Sequence, residues 1–155
     1  RLAAQAPCRS GPVTSTLGVR KKFARMTYAL CFSCGKTKFG ALVPCHECGG
    51  RASRDPDLDI AFSDHVLSTE SIEAFGNVIK AIRKESEDLE RNFWTFIRYV
   101  SLKHPGVLRV QLPEADALAC DALLNRLTLP DFKLIRSAAS QEFRDQQARD
   151  GKTDA

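Results

Sequence analysis

Between Ile72 and Val100 the apolar residues recur at steps of three and four: Ile72, Phe75, Ile79 and Ile82, then Leu89, Phe93, Phe96 and Val100. Those steps place side chains along one face of an α-helix. Ser86 stands in the slot where the rhythm calls for another apolar residue. One unbroken helix over 69–103 would be about 50 Å long, out of proportion to a chain of this size. Ser86, Glu87 and Asp88 together supply a cap and an acidic first turn, so the pattern predicts two helices, over 69–84 and 87–103. The heptad spacing also allows a dimer through the 69–103 helices. Trp94, Ile97, Tyr99 and Leu102 add apolar surface on other sides, which favours burial within a monomer.

Downstream, His104-Pro105-Gly106 ends the second helix and Val107–Leu112 alternates as a strand does. Pro113 opens a helix over 114–127 with Leu118, Ala122 and Leu123 facing inward. Phe132–Arg136 reads as a second strand, and Gln141–Arg149 as a short terminal helix capped by Ser140. Strand, helix and strand in that order predict a right-handed parallel β-α-β unit. No run approaches the 18 or so uninterrupted apolar residues of a membrane span, so no membrane association is expected.

Charge divides the chain unevenly. Lys and Arg number 23 against 19 Asp and Glu, but residues 1–25 carry six bases and no acid. The remainder therefore has 17 bases against 19 acids, a mildly acidic body that is a poor general polyanion binder. Residues 1–25 lack apolar periodicity and are expected to be a disordered leader outside the fold. Three explanations fit them: an upstream start with Met26 as the native first residue, an organellar transit segment, or a basic tail. The first of these places the protein in the cytoplasm. Residues 151–155 are expected to be a disordered tail.

Four of the six cysteines fall within one short window: Cys31-Phe-Ser-Cys34-Gly35, nine further residues, then Cys45-His-Glu-Cys48-Gly49. Each CxxC pair can hold one metal ion from a tight turn, and the glycine that follows lets the backbone aim its amides at sulfur. Four thiolates make a closed tetrahedral shell, the form of a structural Zn2+ site. Two disulfides or unrelated buried cysteines are the alternatives. Few large apolar residues surround the window, and their burial alone falls short of ordering it without a metal.

The paired motifs resemble the zinc-ribbon, or rubredoxin-like, family, in which two CxxC knuckles at the tips of β-hairpins clamp one ion. The resemblance spans about 25 residues. It implies Cys31, Cys34, Cys45 and Cys48 as ligands and Gly35 and Gly49 as knuckle glycines. Electron-carrying rubredoxins have a longer gap between knuckles and usually a proline where this chain has His46. Transcript-cleaving ribbons carry an acidic pair where this chain has Lys36-Thr37-Lys38. Neither activity is therefore implied. From Met26 onward the chain also resembles short uncharacterised bacterial proteins that begin with such a ribbon, a group that brings no function with it. The expected fold is α+β: a zinc ribbon of β-hairpins over 26–54, then a mainly helical body over 55–150 containing the β-α-β unit.

Lys36, Lys38, Arg51 and Arg54 make the ribbon locally basic and are candidate contacts to a nucleic acid or another partner. His46 reads as a solvated bystander between ligands. Asp64 with His65, His104 and Cys120 are the residues from which catalysis would have to be built. Asp64 reads more simply as a turn or cap residue, His65 as a packing or surface group and Cys120 as a small buried hydrophobe. No phosphate-binding loop, nucleophile elbow or carboxylate pair is present. Three readings of function stand: a zinc-stabilised module that docks a protein partner, a nucleic-acid binder working through the ribbon, and an enzyme of unknown reaction.

Overall fold

The computed structural model describes residues 27–150. The expectations for the leader over 1–25, the start at Met26 and the tail over 151–155 lie outside the described residues. An antiparallel strand pair, β1 (Tyr28–Leu30) and β2 (Thr37–Phe39), precedes five helices: α1 (Pro56–Ala61), α2 (Thr69–Glu85), α3 (Leu89–Lys103), α4 (Glu114–Leu124) and α5 (Ala138–Asp150).

Helix α1 falls on Arg54-Asp-Pro-Asp-Leu-Asp59, a stretch that reads in the sequence as a linker. Its cause is local: Asp55 accepts hydrogen bonds from the Asp57 and Leu58 amides, and Pro56 sits at the first helical position, where it has no amide to waste. Ser68 caps α2 in the same way through the Ser71 amide. The break after α2 comes at Ser86, as the interrupted rhythm predicts. The cap of α3 is nevertheless Asp88, which accepts from the Arg91 amide at 3.0 Å. Ser86 is extended and ties the corner together, its carbonyl accepting from Asn92 and its hydroxyl from the Asp88 amide.

The apolar faces of α2 and α3 pack on each other and on α4. Phe62, Phe75 and Phe96 are fully buried at the centre, with Phe62 and Phe96 edge-on to Phe75 at 5.2 and 5.9 Å. Such edge-to-face pairs add to simple area burial. The strand pair enters the same core: Leu30 is buried in it, and Phe32 meets Phe62 at 5.5 Å and Phe93 at 5.6 Å. Backbone bonds from Leu30 to Phe62 and from Asp64 to Tyr28 fix β1 to the segment after α1.

The β-α-β unit does not form. Residues 108–112 and 132–135 form no regular element; they place Leu108, Val110, Phe132 and Leu134 against the core but do not pair with each other. Their backbone groups find side-chain partners on the helices instead. The Val110 amide donates to Ser101 of α3, and the Ile135 amide to Ser71 of α2. A single bridge, Leu67 with Arg136, replaces the expected strand. Nor do the two knuckles both ride on hairpins: β1 and β2 flank the first, while the second is built from turns alone. In α4, Cys120 and Leu123 are buried, whereas Leu118 and Ala122, expected to face inward, are exposed. Helix α5 starts at Ala138, capped by Ser137 and not by Ser140, and none of its residues is buried. Among the described residues no helix is long and apolar enough to cross a membrane.

Candidate metal centre

The two knuckles repeat one hydrogen-bond pattern. The Gly35 amide donates to the Cys31 carbonyl and the Gly49 amide to the Cys45 carbonyl, both at 2.8 Å. The Cys31 amide donates to Lys36 and the Cys45 amide to Gly50, each five residues on. Gly35 and Gly49 have φ of 72° and 71°, the left-handed conformation that L side chains resist. The spacing Cys-x-x-Cys-Gly thus dictates one turn twice, and the two turns face each other.

Facing each other, they bring all four sulfurs together. The Sγ atoms of Cys31, Cys34, Cys45 and Cys48 lie within 4.8 Å of one another. Cys31 and Cys48 are 3.7 Å apart, and Cys34 and Cys45 3.9 Å. Disulfide bonding requires about 2.05 Å, so these thiols are not bridged. Four sulfurs at about 2.3 Å from a common tetrahedral centre stand about 3.8 Å apart. The two short edges match that figure, and the group could hold one metal ion. The Gly50 amide points at the Cys48 sulfur at 3.3 Å, a donor suited to stabilising thiolate.

Without a metal the thiols are poorly matched. Burial pushes Cys31 up to about 12 and also raises Cys34. At Cys45 burial acts upward too, but the backbone amides of Cys48 and Glu47 and the neighbouring thiols outweigh it, bringing it down to about 7. Cys45 is thus the readiest thiolate, and Cys31 needs a cation to ionise.

The centre is fastened to the helices by two glycines. A methyl group on Gly76, midway along α2, would overlap the Gly35 carbonyl oxygen, and one on Gly35 would overlap the Gly76 carbonyl oxygen. Glycine inside a helix costs about 1 kcal/mol relative to alanine. Here it lets the knuckle backbone lie directly on the helix. No sequence pattern announces that role beyond the presence of a glycine inside an amphipathic helix.

The basic candidates separate. Lys36 pairs with Glu47 at 2.8 Å on the surface, an ion-pair hydrogen bond that raises the lysine and lowers the carboxyl. Lys38 is only 2 % exposed, and its ammonium donates to the carbonyls of Ala41 and Val43 at 2.8 and 2.7 Å. It is therefore a bracket for the loop between the knuckles and not a surface contact. Arg51 and Arg54 are exposed. His46 is exposed, with its ring against Phe39 at 5.2 Å.

The residues from which catalysis would be built are dispersed in role. His65 is exposed, within 3.3 Å of the Thr27 hydroxyl, while Asp64 lies in a turn, its amide donating to Tyr28. His104 stacks on Phe132 at 4.8 Å and meets Phe75 edge-on. Cys120 is buried in α4. No hydrogen bond joins any two of these groups. No protein family, curated protein or solved structure matches this chain.

Proposed function

We propose that the chain is a zinc protein whose four cysteines hold one structural Zn2+ in a ribbon-like head, and that this head is the module through which it engages a macromolecular partner. The observation that carries the reading is the sulfur cage, whose 3.7 and 3.9 Å edges suit a tetrahedral tetrathiolate. Zinc in such a shell supplies a cross-link and no open coordination position, so the role is structural and not catalytic.

The chain's own residues support the same reading. Of the large apolar residues near the knuckles, Tyr28, Phe39, Leu42 and Val43 are exposed, leaving Leu30 and Phe32 as the contribution to the core. Two side chains cannot order a head of this length, and metal binding by the four thiolates can. Gly35 and Gly49 form the turns, the Gly50 amide steadies Cys48, and Gly76 provides the seat.

The experiment is metal analysis of the protein purified under reducing conditions, in parallel with a Cys31→Ser, Cys34→Ser variant. One zinc per chain, lost in the variant, is expected. A metal-free and fully folded chain would refute the proposal.

A further inference from the structure

The turn that follows α3 gathers arginines. It closes through the Val107 amide, which donates to the His104 carbonyl at 2.9 Å. Arg109 Nε donates to the Pro105 carbonyl at 3.2 Å, and Arg136 Nη2 to the Gly106 carbonyl at 2.8 Å. Two guanidinium groups from segments far apart in sequence are thus moored to consecutive peptide units of one turn. The Arg136 backbone is itself anchored: it is bridged to Leu67, and the amide of the next residue, Ser137, donates to Val66. Arg144 of α5 lies near enough to act on it. Burial first, and then the Arg144 charge, holds the Arg136 guanidinium below its ordinary value.

Like charges gathered at one corner call for a counter-charge. The fold supplies none: among the described residues, no carboxylate pairs with Arg109, Arg136 or Arg144. Composition does not account for the cluster, because from Met26 onward the chain has 17 bases against 19 acids. Each moored guanidinium commits a single donor to its carbonyl. Arg109 keeps both terminal nitrogens for another acceptor, and Arg136 keeps Nε and Nη1. Arg109 and Arg144 are exposed and Arg136 is half-buried, so a solute can reach the corner. Forked donors held on fixed planes match the oxygens of a phosphoryl group, and several cations suit a dianion better than a lone carboxylate.

We propose that Arg109, Arg136 and Arg144 form a binding site for a phosphate dianion, free or carried as a monoester by a small molecule. The site is built from residues outside the knuckles and does not rest on the metal reading.

The test is an NMR titration of the isotope-labelled full chain with inorganic phosphate, with phenyl phosphate and with acetate, at about pH 7.5, where a phosphomonoester is a dianion. Saturable shifts centred on Gly106, Arg109 and Arg136 are expected, with a Kd below about 1 mM at low salt and acetate about tenfold weaker. A response to both phosphates marks the phosphoryl group as the recognised part. A response to phenyl phosphate alone assigns the site to esters, and one to inorganic phosphate alone assigns it to the free ion. Arg136→Lys keeps the charge without the fork and is expected to weaken binding about tenfold, as is Arg109→Gln, the second probe should Arg136→Lys misfold. Arg51→Gln removes an exposed arginine next to the second knuckle and is expected to leave binding unchanged. Thermal melting is measured on every variant. No binding of either phosphate, equal binding of acetate, or an equal loss from Arg51→Gln would each overturn the proposal. So would variants that melt earlier while phosphate affinity stays the same, because the arginines would then only brace the turn.

Discussion

Lys36 and Lys38 stand two residues apart in the same basic stretch, and their surroundings give them opposite roles. The first reaches Glu47 across solvent, and exposed pairs of that kind add little to stability. The second fills two carbonyl groups that its own burial removes from water. Removing the donor leaves both carbonyls short of a partner, so Lys38→Met is expected to cost about 1–3 kcal/mol in denaturant unfolding, whereas Lys36→Ala should leave the midpoint unchanged. Equal effects of the two substitutions would contradict the assignment. The difference was not legible in the sequence, since a lysine in a polar loop normally reads as solvated. By contrast the clustering of the four cysteines was legible, because the geometry of a CxxC turn is encoded in residue types at fixed spacing and needs no knowledge of the rest of the fold.

Among the elements, local signals located helices better than strands. Ser86 and Asp88 mark the α2–α3 corner in the sequence, and Asp55-Pro56 marks α1 equally well although its surroundings read as a linker. The alternation of Val107–Leu112 suggested a strand that does not form, although Leu108 and Val110 do pack against the core. What alternation cannot report is the hydrogen-bond partner, and here Ser101 and Ser71 took the amides that a neighbouring strand would have taken. The seat of the metal head on α2 was equally hidden, resting on Gly76. Gly76→Ala raises intrinsic helix propensity, so in an isolated helix it would stabilise by about 1 kcal/mol. In the whole protein it is expected to destabilise, because the added methyl meets the Gly35 carbonyl. Thermal melting of the zinc-loaded variant decides, and an increase would contradict the contact.

Helices α3 and α4 are joined by a two-pronged pair, Arg98 Nε and Nη2 each donating to Asp121 at 2.9 Å. Hydrogen bonding to Arg98 holds the Asp121 carboxyl below its ordinary value of 3.8. A depressed folded-state value means that the pair contributes stability above about 3.8 and loses it as pH falls through the folded value. Asp121→Asn is therefore expected to flatten the decline in stability below pH 3.8 compared with the unchanged protein. An unaltered acid limb would remove the pair from the account.

At the scale of the molecule, the head and the helices share one core through Leu30 and Phe32, so loss of metal should be felt beyond the knuckles. At neutral pH, Cys31 and Cys34 hold their protons, while Cys45 is near its midpoint. Zinc binding at pH 7 is then expected to release more than two protons, measurable by calorimetry in buffers of different ionisation enthalpy, and affinity should weaken as pH falls. Release of fewer than two would mean that Cys31 or Cys34 does not ligate as thiolate.

The most direct measurement is X-ray absorption at the zinc edge of the reduced, purified chain. Four sulfur neighbours at about 2.3 Å and no lighter ligand are predicted. A shell containing nitrogen, oxygen or water, or a chain with no zinc to measure, would contradict the tetrathiolate cage.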